Sequence, residues 1–361
     1  MKFLFLSGHA HLALDPSSQR ASGGAELQVA LLARELVARG HAATLLAADT
    51  GQRDGVVWED ITIRVGKRFD TGGALDSVKA LPRILKVLGE ERPDFVVVYG
   101  WTAWLFILSQ IRRFIPFRLI FVCALDAEID GGFRADNPVR GYLFERGMRL
   151  ANARFGITEH QARLFREKGM SCAVTRLLLQ KPDFYEGADK PIDLLWVARC
   201  HPVKRPHLFL DLAERLPQTR CRMICSVQDE ALWQEVKQRA EKTANVEFLE
   251  AAPYREIQGH FDAAAIFVNT SDREGVPNTF IHSGLGHTAI LSLAVDPDGM
   301  FQRFGAGACT GGNFDKLVSQ ADHFIKHPAE LTAARNECAR FVREWHDNKA
   351  NVEAFLSALP S

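Results

Sequence analysis

Three short stretches hold residues whose types and spacing suit an anion or a sugar. The first is Arg199-Cys200-His201-Pro202-Val203-Lys204-Arg205-Pro206. Arg199 and Lys204 are close enough in sequence for a curved loop to bring both onto one diphosphate. Each charge-assisted hydrogen bond formed there would contribute about 1.5–3 kcal/mol. Arg205 is read as a solvated cation. The second stretch is Ser271-Asp272-Arg273-Glu274-Gly275-Val276-Pro277-Asn278-Thr279-Phe280-Ile281-His282. Pro277 suits the first turn of a helix. The amides of Asn278 and Thr279 would then lack intrahelical partners and could face a phosphate. Glu274 can accept hydrogen bonds from sugar hydroxyls, or simply favour the helix start by its charge. The third stretch is Ser22-Gly23-Gly24-Ala25-Glu26, ahead of LQVALLARELVARG. Two glycines let backbone N–H groups approach an anion at a helix N-terminus, although a plain strand-to-helix turn uses the same residues. The pair is neither G-x-G-x-x-G nor followed by a Walker lysine.

A second group could serve a hydroxyl acceptor. Asp126, in Ala124-Leu125-Asp126-Ala127-Glu128-Ile129-Asp130, can orient a hydroxyl or act as a general base, with Glu128 and Asp130 behind it. A solvated acidic loop has the same composition. His9 and His11 follow the first apolar run and could line the same side; an H-x-H pair without further ligands does not make a zinc site. Asp296-Pro297-Asp298-Gly299 is D-x-D in form but reads as a turn. No metal or other cofactor is expected.

These loops need strands and helices to place them, and the pattern supplies both. Strands are expected at 3–7, 43–47, 94–99, 117–123 and 154–158, with helices at 24–39, 75–90, 102–113, 138–152 and 159–168. A linker follows, Leu178 to Lys190, with Lys181-Pro182 and Gly187. The alternation then restarts. Strands are expected at 192–198, 220–226, 246–249, 265–269 and 289–293, with helices at 206–215, 229–243, 277–285, 314–326 and 329–345. Strands alternating with helices imply doubly wound parallel sheets. The expected domains are 1–187 and 188–345, with a C-terminal helix within 346–361 that can pack back on the first. In such sheets, ligands bind beyond the carboxyl ends of the strands. With two such domains, the default site is the cleft between them.

Composition narrows the class. The chain has 361 residues, 47% hydrophobic and 24% charged, as in folded globular proteins. Lys+Arg and Asp+Glu both number 44, which argues against a nucleic-acid partner. Seven cysteines without a C-x-x-C suit reduced thiols in a cytoplasmic protein. The N-terminus does not read as a signal peptide, and no run reaches the ~18 apolar residues that would span a bilayer.

The basic loop, taken with EGVPNTFIHSGLGHTAILSLAVDPDGM, resembles the retaining glycosyltransferases of family 4. SGGAELQVALLARELVARGH and FGITEHQARLFREKGM are similar to the same family. The resemblance implies a GT-B fold, two Rossmann-like domains facing across a cleft, with the acceptor in the first and a nucleotide-sugar donor in the second. It implies that Arg199 and Lys204 bind the diphosphate. Glu274 matches the first glutamate of the family's E-x7-E motif and would hold donor-sugar hydroxyls. Val276, Pro277 and Asn278 match the turn whose amides meet the donor, and Gly23 and Gly24 the loop beside the donor phosphates and the acceptor. Two departures stand out. His282 occupies the second glutamate position, where a ribose contact is usual, and His287-Thr288-Ala289 replaces a Gly-x-Pro turn.

The implied activity is metal-independent transfer of a hexose-type sugar from a UDP- or GDP-sugar to a glycan or lipid-linked saccharide, as in lipopolysaccharide or other surface-polysaccharide synthesis. An epimerase of the same fold and a nucleotide-binding paralogue without turnover remain alternatives. Residues 131–181 hold ten Lys/Arg against four Asp/Glu, and Gln110–Arg118 mixes cations with bulky apolar residues. Such a face suits an anionic membrane surface, so peripheral attachment to the inner face of the cytoplasmic membrane is an expectation alongside a plain solvated face.

Overall fold

The computed structural model describes residues 1–18, 23–66, 74–181, 183–187 and 189–360. Ser22 of the glycine loop and Pro182 of the linker lie outside them. The chain divides into two compact units, one of Met1–Gln180 with Asn348–Ser361 and one of Lys181–Asp347. The break lies ahead of the 187/188 boundary read from the sequence, because the connecting segment is tied to the second unit. The Tyr185 N–H donates to Leu285 O at 2.8 Å, and Lys190 Nζ donates to Asp262 O at 2.7 Å and Gly286 O at 2.5 Å.

In the first unit eight strands form one sheet in the order β3-β4-β2-β1-β5-β6-β7-β8. They are β1 (Lys2–Leu6), β2 (Ala42–Ala48), β3 (Val56–Trp58), β4 (Ile61–Gly66), β5 (Phe95–Tyr99), β6 (Arg118–Val122), β7 (Ala153–Gly156) and β8 (Ala173–Val174). Every pairing is parallel except β3 with β4. Strand side chains alternate between faces, and both faces are covered. Leu4, Leu6, Val96, Val98, Leu119 and Phe121 join a core with the helices at 74–91, 104–111, 138–150 and 159–167. On the other face Phe3 stacks on Phe95 at 5.1 Å, and Phe355 of the terminal helix Asn348–Ser357 meets Phe155 at 4.7 Å. Asn348 fastens that helix. It accepts from the Leu179 N–H at 2.7 Å and donates to Glu35 Oε1 at 2.7 Å.

The second unit is an all-parallel sheet of six strands, β11-β10-β9-β12-β13-β14. These are β9 (Ile192–Cys200), β10 (Cys221–Val227), β11 (Val246–Leu249), β12 (Ala264–Asn269), β13 (Ala289–Ser292) and β14 (Gly307–Cys309). Leu194 and Trp196 face a core with Phe209, Trp233, Leu317 and Phe324. On the opposite face Phe267 packs with Phe261 and Phe280, at 5.2 and 6.3 Å. The helix Asn278–Leu285 lies so close to the helix Pro328–Trp345 that a Cβ on Gly284 would come within 2.2 Å of Val342 Cγ2. Only glycine fits there, and the contact fixes the helix that begins beside Glu274.

Several elements escape the sequence pattern. The β3–β4 hairpin turns on Glu59 and Asp60, both at positive φ (51° and 60°). Such turns usually announce themselves by Asn-Gly, and here no glycine does. β8 and β14 are too short to show a period, and the helix Tyr254–Asp262 has Gly259 inside it. No helix among the described residues is long and apolar enough to cross a membrane. All seven cysteines are free.

Candidate functional site

Strand order reverses in the second unit between β9 and β12, since β10 and β11 lie on one side and β13 and β14 on the other. Such a switch point opens a crevice at the strand ends. The loops that leave β9 and β12 there are the two richest in candidate residues.

Arg199 is exposed and stands inside β9, opposite Ser226, and not in the loop expected from the sequence; the loop itself begins after Cys200 and makes a tight turn, Pro202–Lys204. His201 Nδ1 caps the turn by accepting from the Val203 N–H at 3.2 Å. Arg205 takes φ 47°, so the helix Pro206–Arg215 leaves in a new direction. The β12 loop is stitched to it. Buried Thr270 donates to Lys204 O at 2.6 Å and accepts from Trp196 Nε1 at 2.9 Å. The Asp272 N–H donates to Val203 O at 2.9 Å, and Arg205 pairs with Asp272 at 2.5 Å. Arg205 is therefore a loop tie and not the solvated cation expected.

This stitching brings Lys204 Nζ within 2.5 Å of Glu274 Oε2, both side chains largely covered at 25% and 16% exposure. Asn269, the last residue of β12, donates to Glu274 Oε1 at 3.0 Å. A cation and a carboxylate thus share one crevice, the carboxylate aimed by a buried amide. Glu274 is paired with Lys204, and the expectation of a mere helix-terminus charge does not describe it. Two further features frame the crevice. β10 ends beside β9, with Ser226 opposite Arg199 and half-exposed Val227 opposite Cys200. Pro277 is the N-cap of the helix Asn278–Leu285, one position earlier than read from the sequence, with Val276 half-buried before it and Asn278 and Thr279 in the first turn.

His282 lies one turn into that helix. Its Nδ1 is 2.7 Å from Gln258 Oε1 and its ring stacks on Phe261 at 5.4 Å. Burial lowers its pKa to about 4, so the ring is neutral at ordinary pH. The side chain has a packing role within its own unit in place of a fixed negative charge. His287 takes φ 48°, the left-handed region that glycine adopts at no cost. Asp298 lies in a left-handed turn at φ 53°. Among the described residues no group of three or more His, Cys, Asp or Glu side chains is placed to hold a metal ion.

The first unit has its own strand-end groups. Its order reverses between β1 and β5. Gly23 caps the helix Gly24–Ala38, but a Cβ there would lie 2.2 Å from Glu26 Oε2. A carboxylate, not open space, borders that N-terminus. His9 is exposed. His11 is fully buried, its Nε2 2.8 Å from Thr50 Oγ1 and its ring 6.4 Å from Trp58, so it belongs to the core and does not line an open acceptor surface.

Asp126 and Glu128 follow β6, with β5 between them and the histidines. Asp126 remains partly exposed. Its Oδ1 accepts from Gln161 Nε2 at 3.0 Å and its Oδ2 lies 3.7 Å from His160 Nε2. Glu128 points inward, 6% exposed, and accepts from the Ala124 N–H at 2.9 Å. Burial raises its pKa to about 7, against the pull of the backbone N–H groups of Ala124, Leu125 and Trp101. Sequence reasoning missed Asn269, Thr270, His160 and Gln161. A polar residue closing the apolar strand AAIFVN was the one available signal.

Residues 23–178 match a family described as glycosyl transferase 4-like domain. No curated protein sequence matches the chain. Among solved structures, a sucrose-phosphate synthase from Thermosynechococcus elongatus aligns at TM-score 0.81 and 14% identity, covering 99% of this chain and 98% of that one. A trehalose-6-phosphate structure from E. coli bound with UDP-2-fluoro glucose aligns at 0.72 and 13%, with coverage of 99% and 98%. A UDP-forming trehalose-phosphate synthase from Burkholderia xenovorans gives 0.72, 11%, 99% and 98%. At these identities the likeness is one of fold: two Rossmann-like α/β domains, the kind that GT-B proteins have.

Proposed function

We propose, from a GT-B fold and the match of residues 23–178 to a glycosyl transferase 4-like domain, that the chain transfers a hexose-type sugar with retention from a UDP- or GDP-sugar to a saccharide hydroxyl. The observation that carries this is the Lys204–Glu274 pair at the β9/β12 switch point, with exposed Arg199 near the end of β9. A diphosphate entering the crevice offers Lys204 a stronger partner than one carboxylate, and Arg199 a second contact. Glu274, released from Lys204 but still held by Asn269, then accepts hydroxyls of the donor sugar. Negative charge gathers on the departing diphosphate, and preorganised cations and the first-turn amides near Asn278 stabilise it. With those charges in place the reaction needs no metal. His282 serves the donor side by fixing the helix.

On the acceptor side, Asp126 orients the incoming hydroxyl. Glu128 holds the loop that carries it, and Gly23, Gly24 and His9 border the same strand ends. The acceptor is a glycan or lipid-linked saccharide of cell-surface or lipopolysaccharide assembly. The helix Pro138–Leu150 supports this with an outer face that exposes Val139, Tyr142 and Leu143 among Arg140, Arg146 and Arg149. Such a face suits anionic headgroups. Phe114 is also exposed, but it lies ahead of the start of β6, whereas the chain reaches Pro138–Leu150 from the carboxyl end of that strand.

The test is turnover. Purified protein in EDTA is given UDP- and GDP-hexoses with hexoses, hexose 6-phosphates and alkyl hexosides, and free nucleotide is measured. Acceptor-dependent release is expected, and no release from any donor would overturn the reading. Sedimentation with anionic but not neutral vesicles at low salt is the separate check on the membrane face.

A further inference from the structure

The acceptor reading rests on Asp126, and two neighbouring residues aim that carboxylate. Gln161 is fully buried. Its Oε1 accepts from the Ile157 N–H at 2.8 Å, and its own N–H donates to Thr158 Oγ1, the cap of the helix Glu159–Glu167, at 3.0 Å. With Oε1 held by the backbone, the amide cannot turn over without giving up that bond. Nε2 is therefore fixed toward Asp126 Oδ1, 3.0 Å away. Gly156 makes room for this: a Cβ there would meet Gln161 Cβ at 3.0 Å.

His160 approaches the other oxygen. Its Nδ1 lies 3.4 Å from Arg163 Nη2. A guanidinium only donates, so Nδ1 accepts and the ring proton sits on Nε2, the atom that faces Asp126 Oδ2 at 3.7 Å. That separation is too long for a direct hydrogen bond. A hydroxyl oxygen beside the pair can bond to both, donating to Asp126 and accepting from His160. Both side chains remain accessible, at 36% and 45% exposure.

We infer that Asp126, His160 and Gln161 form the subsite for the acceptor hydroxyl, in which Gln161 is a positioning residue that locks the Asp126 carboxylate and His160 bonds the same hydroxyl oxygen as Asp126. The inference rests on the glycosyl-transfer reading above. A loose carboxylate at the end of β6 samples several rotamers, and a misaligned hydroxyl loses much of the advantage of being held. The buried amide removes that freedom on one side and leaves Oδ2 for the ligand.

The experiment measures two constants of the full chain: acceptor kcat/KM, from nucleotide release with the acceptor that the wild type uses best in the panel above, and the Kd of the matching nucleoside diphosphate. His160→Ala and Gln161→Leu are each expected to lower acceptor kcat/KM by about tenfold or more, with the nucleoside-diphosphate Kd within about twofold of wild type. His160→Gln, whose amide can reproduce the Nε2 donor, is expected to restore most of the loss. Because Gln161→Leu can also disturb folding, the surface-accessible His160 variants decide the matter. Folded His160→Ala with wild-type acceptor kinetics, or with nucleoside-diphosphate binding weakened as much as acceptor use, would overturn the subsite. A wild type that turns over no nucleotide sugar overturns the glycosyl-transfer reading instead, and the inference with it.

Discussion

The strand-end loops of the two units solve different electrostatic problems. In the second unit, opposite charges are brought together. Lys204 and Glu274 meet at 2.5 Å in a crevice between loops tied by Thr270, Trp196 and Asp272. In the first unit, charge is removed or spread. Glu128 is buried without a cation, with a pKa of about 7, while Asp126 is held by a neutral amide and faces an imidazole. A site poised to exchange an internal ion pair for an anionic ligand suits a diphosphate. A site of neutral donors around one partly exposed carboxylate suits hydroxyls. The same fold thus provides an ionic strand end and a hydroxylic one.

The largest effect should come from breaking the ionic end. Lys204→Ala and Glu274→Ala are each expected to cut nucleotide release by about 10²–10³-fold. The double variant should lose less than the sum in free energy, because the two residues interact directly. Nucleotide-release assays on the four proteins give the cycle. Wild-type turnover in either single variant would mean that the pair is merely structural.

Next comes acid sensitivity in the donor unit. Folded His282 titrates near 4, and its ordinary value is 6.5. Below pH 6.5 the unfolded chain takes up a proton that the folded chain refuses. The resulting stability is intact above that pH and is lost as pH falls toward 4, by about 3 kcal/mol. His282→Asn keeps a donor for Gln258 but cannot titrate. Urea unfolding at pH 7 and pH 4 should show the slope in wild type and a flatter response in the variant.

The smallest effect should sharpen the other side of the comparison. Folded Glu128 holds its proton up to about pH 7, against 4.5 ordinarily. The folded state therefore binds more protons than the unfolded state in that window, and stability falls as pH rises through it. Between pH 6 and 8 the remaining loss is about 1 kcal/mol. Glu128→Gln should remove this dependence, as read from melting curves across that range. An unchanged slope would mean that the carboxyl is already ionised, and the hydroxylic end would be less neutral than described.

Much of the architecture was legible because secondary-structure periodicity is local. Alternating strands and helices, the restart near residue 190 and the helices 206–215 and 314–326 follow from the spacing of apolar residues and from punctuation by Pro and Gly. The β3–β4 hairpin was hidden because its turn uses Glu59 and Asp60, whose conformation no local signal announces. Arg199, Lys204 and Glu274 could be picked out because charged residues placed just after apolar strands stand out in a linear reading.

By itself, then, the sequence determined two strand–helix units and which loops leave their strands carrying charge. The tertiary structure decided what those charges meet. Strand order, which no local pattern encodes, brought Thr270 onto the Lys204 carbonyl and Gln161 onto Asp126. Burial then separated side chains that look alike on the page. Of two nearby acids, Glu128 went into the core and Asp126 stayed accessible. Of two histidines after β1, His11 was buried and His9 left in water. Desolvation and partner geometry depend on neighbours far along the chain, and only folding sets them.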